Sequence, residues 1–350
     1  MHSATSCLRL SRRTIRGRLR SVLVVSLAMA SPASPQADKT YLYAGVVSVN
    51  DPAGNEHNAG AGVYLADLEA PRWQPIAWQQ LPIRALCAIE EQAGPTLLIG
   101  GDEGILRPFA NPTGWKLLTD WRVRDVLDLQ PDPFQAQTIY AASGLGVLLS
   151  EDGGASWTLS NRGLTETFVS CLLPDPLIPG RVLAGTESGM YASKDYAHSW
   201  QPLALSGVAI RAMLRQRLDP GRYWVGTEYH GLVASHDGGY VFTPVPLGED
   251  SLSIYCLAGG MAGGPVVAGT FERGLFVAHA DDALWQHVDG SEQLGTVLAL
   301  VTLDSRGELY AGLPGNGVMK STDGGVTWVP FGLDGAEVRK LLLSTFAQLP

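Results

Sequence analysis

The chain of 350 residues carries 25 Lys and Arg against 34 Asp and Glu, which gives a formal net charge of −9 at pH 7. This acidic balance argues against nucleic acid and anionic membrane surfaces as partners, because both are themselves negatively charged. After residue 30, no apolar run approaches the ~20 residues that span a bilayer, so no membrane span is expected.

The first thirty residues differ in composition from the rest and predict a signal peptide over 1–30. A basic region is followed by an apolar stretch over 21–30, which ends in the A-x-A cleavage pattern Ala28-Met29-Ala30. The basic residues are Arg9, Arg12, Arg13, Arg16, Arg18 and Arg20. Cleavage would leave 19 basic and 34 acidic residues, a net charge of −15. The protein is therefore expected to be exported to the periplasm or the medium.

A short linker over 31–39 leads into a repeat domain over 40–346, and residues 347–350 form a tail. Within the first repeat, residues 48–61 are rich in Gly, Asn and Asp and predict a surface loop. Two alternatives are a lid over the binding face and a calcium loop that uses Asp51, Asn55 and Glu56. The spacing of these three residues does not match the EF-hand pattern.

One octapeptide recurs along the chain with the form S-x-D-G-G-x-[ST]-W. It is intact at 150–157 and 321–328, has Ala for the second Gly at 193–200, and has Phe for Trp at 235–242. Its Asp can accept backbone N–H groups, its glycines tolerate positive φ, and its Trp can cover the turn, so it predicts the tip of a β-hairpin. We call these four segments the Asp turns. Their structural residues are Ser150, Asp152, Gly154, Trp157, Ser193, Asp195, Trp200, Ser235, Asp237, Gly239, Phe242, Ser321, Asp323, Gly325 and Trp328.

Aromatic residues continue the phase of the Asp turns through the whole domain. Their successive spacings are 42, 42, 43, 42, 43 and 43 residues. The series is Trp73, Trp115, Trp157, Trp200, Phe242, Trp285 and Trp328. A fixed period near 42 is the signature of a repeat architecture.

The Asp turn resembles the Asp-box, or bacterial neuraminidase repeat. This repeat occurs in sialidase-type β-propellers, in sortilin-type receptors and in the photosystem II assembly factor of oxygenic phototrophs. The resemblance covers roughly residues 40 to 345 and implies an all-β propeller fold. It does not imply one activity, because a fold does not fix a function.

Each repeat reads as four short strands, and the second strand ends in an Ala-Gly-Thr-like pattern seven times. The first repeat begins directly at its second strand, over 41–45. Residues 338–344, after the seventh repeat, would supply the missing strand and close the ring. The sequence thus predicts a seven-bladed β-propeller whose C-terminal strand completes the first blade. A closed ring of this kind is expected to be a monomer.

Blade topology places the Asp turns at one end of the ring and the loops between second and third strands at the other end, around the channel mouth. The second residue of each innermost strand faces that mouth in our alignment. In blade order these residues are Arg339, Arg84, Arg124, Ser170, Arg211, Tyr255 and Leu298. Four arginines at one structural position predict a cluster of positive charge, and guanidinium groups suit carboxylate, phosphate or sulfate.

Acidic residues in the loops at the same end supply counter-charge. They are Asp102, Glu187, Glu228 and Glu272. One interpretation is that these acids and the inner-strand arginines neutralise one another. The other is that the mouth binds an anionic group through Arg84, Arg124, Arg211 and Arg339, while the acids orient it.

Two enzymatic alternatives remain open. A resemblance to sialidases would imply an arginine triad, Tyr255 as nucleophile, and Glu228 or Glu272 as its assistant. The seven blades and the absence of an Arg-Ile-Pro signature depart from the sialidase pattern. Hydrolysis of β-glucans by a carboxylate pair is the other alternative.

The main hypothesis is a non-catalytic propeller that binds a protein, peptide or glycan at the channel mouth, in the manner of an assembly or scaffold factor. No cofactor motif and no paired metal-ligand spacing occurs. Three cysteines of the domain, Cys87, Cys171 and Cys256, fall on innermost strands of non-adjacent blades. They are expected to be small buried residues and not metal ligands.

Overall fold

The computed structural model describes residues 39–49, 60–77, 80–91, 94–108, 114–216, 219, 221–249, 251–259, 265–278, 284–303 and 305–347. The predicted signal peptide, most of the linker and most of the 48–61 loop lie outside these residues. The described chain forms twenty-eight strands and one 3₁₀ helix, η1 (Ser291–Leu294). None of its helices is long and apolar enough to cross a membrane.

The strands form seven antiparallel sheets of four strands each, which we number as blades 1 to 7. From the innermost strand outward, blades 1 to 4 are β28 (Ala336–Ser344), β1 (Tyr41–Val49), β2 (Gly62–Asp67), β3 (Gln74–Ala77); β4 (Ile83–Glu91), β5 (Gly94–Gly101), β6 (Gly104–Pro108), β7 (Trp115–Leu117); β8 (Val126–Pro131), β9 (Ile139–Ser143), β10 (Gly146–Ser150), β11 (Thr158–Leu159); β12 (Val169–Pro174), β13 (Val182–Thr186), β14 (Gly189–Ser193), β15 (Gln201–Ala204). Blades 5 to 7 are β16 (Ile210–Arg215), β17 (Tyr223–Thr227), β18 (Leu232–Ser235), β19 (Thr243–Pro244); β20 (Ile254–Gly259), β21 (Val266–Thr270), β22 (Leu275–Ala278), β23 (Gln286–His287); β24 (Ala299–Leu303), β25 (Glu308–Gly312), β26 (Val318–Ser321), β27 (Val329–Gly332).

The last strand closes the ring. β28 pairs antiparallel with β1, with Tyr41 opposite Ser344. It buries Ala336, Val338 and Leu341 in the core shared with blade 7. The innermost strands contact one another in cyclic order, from β4 with β8 round to β28 with β4. The predicted seven-bladed propeller, with its C-terminal strand in blade 1, is confirmed.

A small residue in each second strand lets neighbouring blades approach closely. A Cβ added to Gly226 would lie 2.8 Å from the carbonyl oxygen of Ile254 and 2.8 Å from its Cγ2. Such distances are too short for a real side chain, so glycine is required there. The same contact joins Gly45 to Ile83, Gly100 to Val126, Gly185 to Ile210, Gly269 to Val297, and Gly312 to Val338. Blade 3 has Ala142 at this place, in one core cluster with Val169.

The four Asp turns share one hydrogen-bond network, although the turn at 235–242 has Val241 where the other three have a hydroxyl donor. In the first of them, Ser150 Oγ donates to Asp152 Oδ1 at 2.9 Å and accepts the Gly154 N–H at 2.8 Å. Ser156 donates its N–H to Asp152 Oδ1 at 2.8 Å and its hydroxyl to Oδ2 at 2.6 Å. The carboxylate thus ties the turn to a residue four positions ahead. The corresponding aspartates are Asp195, Asp237 and Asp323.

The tryptophans that end the Asp turns are of two kinds. Trp157 and Trp328 donate their Nε1–H to the carbonyl of the second Gly of their own turn, at 3.1 and 2.8 Å. Trp200 instead donates to the Ser160 carbonyl in the preceding blade, at 2.8 Å, and is buried with 3% exposure. The first kind leaves the indole half-exposed.

We expect the Asp turns to make thermal stability fall in acid. Hydrogen bonds donated by Thr327 lower the pKa of Asp323 to about 2, and the Val241 N–H lowers the pKa of Asp237. Burial raises the pKa of Asp152 and Asp195, but their turn hydrogen bonds outweigh it and the net shift is downward. Since the pKa of an unfolded Asp is about 3.9, this stabilisation is complete above about pH 4 and is lost as pH falls towards about 2.

The measurement is the melting temperature by circular dichroism from neutral pH to about pH 2, over the range in which these carboxylates titrate. The control is Asp323→Asn, which cannot titrate and should show a shallower decline below about pH 4. Equal slopes for the two proteins would contradict the prediction.

The turns between first and second strands lie at the same end as the Asp turns. Asp132 accepts the N–H groups of Phe134 and Gln135 at 2.9 and 2.8 Å and the Tyr140 hydroxyl at 2.6 Å. Backbone contacts join the two kinds of turn, as when Gly153 N–H donates to the Gln137 carbonyl at 2.8 Å.

Asp175 occupies the equivalent turn of blade 4 and also holds two buried arginines. Its Oδ2 accepts the Tyr223 hydroxyl at 2.5 Å and Arg181 Nη1 at 3.3 Å, and its Oδ1 accepts Arg215. The side chains of Asp175, Arg181 and Arg215 are 1%, 5% and 6% exposed.

Candidate functional site

In blades 1 to 6, the innermost strand presents one residue to the channel mouth through an irregular pairing. In blade 5, Ile210 pairs with Thr227 and Ala212 pairs with Gly226, so Arg211 has no partner position on β17. Such a bulge redirects the side chain of the extra residue. Blades 1 to 6 share this irregularity. We call the seven residues at this place the mouth ring: Arg339, Arg84, Leu127, Ser170, Arg211, Tyr255 and, just before β24, Leu298.

The predicted placement of Arg124 in this ring is wrong. β8 begins at Val126, and the bulge residue of blade 3 is Leu127. Asp125, with φ 51°, adopts a left-handed conformation that interrupts the extended backbone before the strand. Arg124 precedes this break, is 59% exposed, and has Nη1 3.9 Å from Oε1 of Glu103.

The mouth ring lines a cavity of about 620 Å³ at the end of the ring opposite the Asp turns. All seven blades therefore contribute to it. Besides the mouth ring, it is lined by Phe168, Glu187, Glu228, Phe271, Thr296, Pro314 and Glu337. We call this space the mouth cavity.

Of the four predicted acids, Glu187 and Glu228 lie in the lining and two do not. Asp102 contacts Arg84 but is outside the lining. Glu272 is exposed on its loop, where its N–H donates to Thr296 Oγ1 at 3.1 Å.

The aromatic lining was not predicted from the sequence, although a signal for it existed. Phe271 follows Thr270 at the end of a second strand, just as Glu187 follows Thr186 and Glu228 follows its own Thr. Its position after the second strand therefore identifies Phe271 as the equivalent of the two lining acids. A search for acidic residues alone points instead to the next residue, Glu272.

Arg211 is held between two glutamates. Its Nη1 donates to Glu187 Oε1 at 2.6 Å and its Nη2 to Glu187 Oε2 at 3.1 Å, a bidentate pair. The same guanidinium also pairs with Glu228. Partial burial lowers the pKa of Arg211, but the hydrogen bonds to both glutamates outweigh it and the net shift is upward. Arg211 is thus a fixed cation with two anionic partners.

The other two arginines of the mouth ring have their own carboxylates. Arg84 Nε donates to Asp102 Oδ1 at 2.8 Å, and Arg339 Nε donates to Glu337 Oε1 at 2.5 Å. Glu337 also accepts the Ser48 hydroxyl at 2.9 Å. Burial raises the pKa of Glu337, yet these hydrogen bonds lower it overall.

The mouth cavity therefore has no excess of positive charge. Its three arginines face the three lining glutamates, and Asp102 adds a further carboxylate beside Arg84. Of the two interpretations drawn from the sequence, the ion pairs support mutual neutralisation.

Tyr255 is one of the aromatic side chains that line the mouth cavity. Its ring meets Phe271 edge-to-face, with centroids 5.8 Å apart. Burial raises the pKa of Tyr255, and the charge of Glu228 raises it further against the opposing effect of Arg211. The phenol therefore keeps its proton at neutral pH and serves as a hydrogen-bond donor and an apolar surface.

Deeper in the ring, Lys340 of β28 donates to Asp128 Oδ1 of β8 at 2.9 Å. Burial lowers the pKa of Lys340, but the charge of Asp128 and this hydrogen bond raise it overall. Burial, with the charge of Asp128, raises the pKa of Cys87 and of Cys171 to about 12, so both remain thiols. Within the described residues, no group of three or more His, Cys, Asp or Glu could hold a metal ion.

Among solved structures, the chain is similar to the GH74 xyloglucanase from Xanthomonas campestris, with 19% identity and a TM-score of 0.57 over 74% of this chain and 46% of that one. It is also similar to YCF48 bound to D1 peptide, with 17% identity and a TM-score of 0.54 over 75% of this chain and 92% of that one. YCF48 from Cyanidioschyzon merolae matches at 15% identity and a TM-score of 0.56, over 75% and 94% of the two chains.

No protein-family model matches the chain. No curated protein matches it either. The chain spans a third to a half of the length of the GH74 enzymes that it resembles. At these identities the comparisons show the propeller fold that the sequence resemblance implies.

Proposed function

We propose that this protein is an exported, non-catalytic propeller that binds an extended segment of a partner polypeptide at the mouth cavity. The observation that carries this proposal is a single open cavity to which every blade contributes a side chain. Concave sites that combine apolar walls with a few fixed polar groups are typical of ligand binding. Export rests on the predicted signal peptide over 1–30.

The two sides of the mouth cavity differ in chemistry. Phe168, Tyr255 and Phe271 lie on blades 4 and 6, on either side of the ion-paired Arg211 of blade 5, whereas Arg84 and Arg339 lie on blades 2 and 1. Each of these two arginines engages its carboxylate through Nε. Their outer N–H groups can donate to peptide carbonyls while the aromatic side accepts an apolar side chain.

An uncharged segment fits better than an anionic one. A carboxylate or phosphate would compete with Asp102 and Glu337 for guanidinium groups that are already neutralised. The extra carboxylate at Arg211 would repel it. Affinity is therefore expected to depend weakly on salt.

The comparison with YCF48 bound to D1 peptide supports a peptide as the class of ligand, since that chain is matched over 92% of its length. The similarity to GH74 enzymes keeps glycoside hydrolysis as the alternative function. The raised pKa of Tyr255 and the engagement of Glu228 by Arg211 weigh against it.

The test is selection of peptides from a random display library on the purified chain, followed by affinity measurement with Phe271→Ala. Removal of this ring is expected to weaken binding by about tenfold, the loss typical of a central aromatic contact. Phe134→Ala is the matched control, because Phe134 is 47% exposed at the opposite end while Phe271 is 45% exposed.

Two results would replace the proposal. Selected peptides that bind the Phe271→Ala protein as tightly as wild type would show that the mouth cavity is not their site. Turnover of sialosides, β-glucans or aryl glycosides, abolished by Tyr255→Phe or Glu228→Gln, would make the protein a glycoside hydrolase with its site at the mouth.

A further inference from the structure

A second cavity, of about 330 Å³, opens between blades 6 and 7. It shares no lining residue with the mouth cavity. Three segments frame it: η1 on the connection from blade 6, the loop 313–317 between β25 and β26, and the connection 333–336 that leads to β28. We call it the interblade cleft.

The frame of the interblade cleft is fixed by backbone hydrogen bonds. The N–H groups of Gly315 and Gly317 both donate to the Ala336 carbonyl at 3.0 Å. Gly335 N–H donates back to the Gly315 carbonyl at 3.0 Å. The loop and the connection therefore form one unit, and the cleft is present before any ligand arrives.

One wall of the interblade cleft is apolar and includes an aromatic ring. Met319 and Pro330 lie opposite each other on β26 and β27, next to Trp328. The Trp328 Nε1–H is already satisfied by the Gly325 carbonyl, so the ring offers the cleft an apolar surface. The equivalent Trp200 is 3% exposed and offers no such surface.

Three polar side chains surround this wall. Gln293, Asn316 and Asp334 are exposed, and none of them hydrogen-bonds to another described residue. Together they provide two amide donors with their acceptors and one carboxylate acceptor. All three remain available to a ligand.

This combination restricts the ligand chemistry. An anion would meet the Asp334 carboxylate with no cation in the lining to offset it. A purely apolar ligand would leave the amides and the carboxylate without partners. A sugar ring fits both sets of groups, because its C–H face can stack on Trp328 while its hydroxyls both donate and accept.

We propose that the interblade cleft binds one ring of an uncharged carbohydrate. Trp328 and Pro330 contact the apolar face of the sugar, and Gln293, Asn316 and Asp334 hold its hydroxyls. The volume of about 330 Å³ lies at the lower end of the range for small-ligand sites, which suits a single ring and not a long chain. The site is independent of the peptide site proposed for the mouth.

The experiment is saturation-transfer NMR and calorimetric titration of the purified protein with soluble neutral gluco-, manno- and galacto-oligosaccharides. At least one of them should bind saturably. Asn316→Ala and Asp334→Ala should each weaken that binding about tenfold, since each removes hydrogen bonds made to hydroxyls.

Asp289→Ala is the matched control for Asp334→Ala, because Asp289 is also exposed and lies near η1 but outside the lining. It should leave sugar binding unchanged. Phe271→Ala should also leave it unchanged, which separates this site from the mouth cavity. Absence of saturable binding to every oligosaccharide, or wild-type affinity in the Asn316→Ala and Asp334→Ala proteins, would overturn the proposal.

Discussion

A chain that ends at Gly335 is expected to lose cooperative folding. It lacks β28, and therefore the innermost strand of blade 1 and the contacts of that strand with β24, β25 and β4. The backbone groups of β1 that face β28 would lose their partners over the length of the strand. Val338 and Leu341 would leave a core in which both are almost fully buried.

The measurement is thermal unfolding followed by circular dichroism. The shortened chain should show no sharp transition, whereas a chain ending at Ala347 should melt like wild type. The latter keeps β28 and the Phe346 carbonyl, which accepts the Tyr43 hydroxyl at 3.0 Å.

A circular permutant that places residues 336–347 before residue 39 should also fold, because Ser344 and Tyr41 already lie opposite each other. This permutant tests whether the strand itself, and not its position in the chain, is required. A transition of the Gly335 truncation within a few degrees of wild type would contradict the prediction.

Replacement of Asp175 by Ala is expected to lower the free energy of unfolding by at least about 3 kcal/mol, as for other broken buried ion pairs. The change would leave Arg181 and Arg215 buried without the carboxylate that they share. It would also remove the acceptor of the Tyr223 hydroxyl. Loss of a carboxylate that two buried guanidinium groups share is more costly than the loss of a neutral hydrogen bond.

Asp132→Ala is the matched control for Asp175→Ala. Asp132 makes the same turn in blade 3, with two backbone N–H groups and a tyrosine hydroxyl, but no arginine pairs with it in the described chain. Its loss should lower the unfolding free energy by about 1–3 kcal/mol. Urea denaturation of both variants gives the comparison, and equal destabilisation would show that the two arginines contribute nothing.

The fold could be predicted from the sequence because its determinants are local and periodic. The side-chain hydrogen bonds of an Asp turn join residues that lie within six positions of each other in the chain. The residue pattern is therefore visible in the sequence wherever the turn forms. The fixed phase of the aromatic residues indicates a repeat, and the count of Ala-Gly-Thr-like second strands gives the number of blades. The missing first strand of blade 1 pointed to β28 at the other end of the chain.

The mouth ring could be predicted only in part. Val123 and Val126 each begin a four-residue segment with Asp in third place. The alignment of the repeats places the start of the innermost strand at Val123, whereas the strand begins at Val126. Spacing from the preceding aromatic residue would have decided it: Val126 follows Trp115 by 11 residues, within the 10 to 12 found in other blades, whereas Val123 follows it by 8.

The charge of the mouth could not be predicted from strand positions, because it depends on which loop each guanidinium reaches. Arg211 pairs with Glu187 of the preceding blade and with Glu228 of its own. Arg339 pairs with Glu337, two residues away on β28, which sequence reasoning did not single out. The alignment of the repeats predicts neither the ion pairs of Arg211 nor the ion pair of Arg339.

The contact between each small second-strand residue and the Ile or Val of the next blade has an evolutionary consequence. Each blade presents a small second-strand residue to one neighbour and a branched Ile or Val side chain to the other. Any blade can therefore pack against any other through this contact. A duplicated segment of about 42 residues would meet its own copy through a contact that already fits. Propellers of this kind can therefore gain or lose a blade by recombination, and no new contact between blades has to evolve.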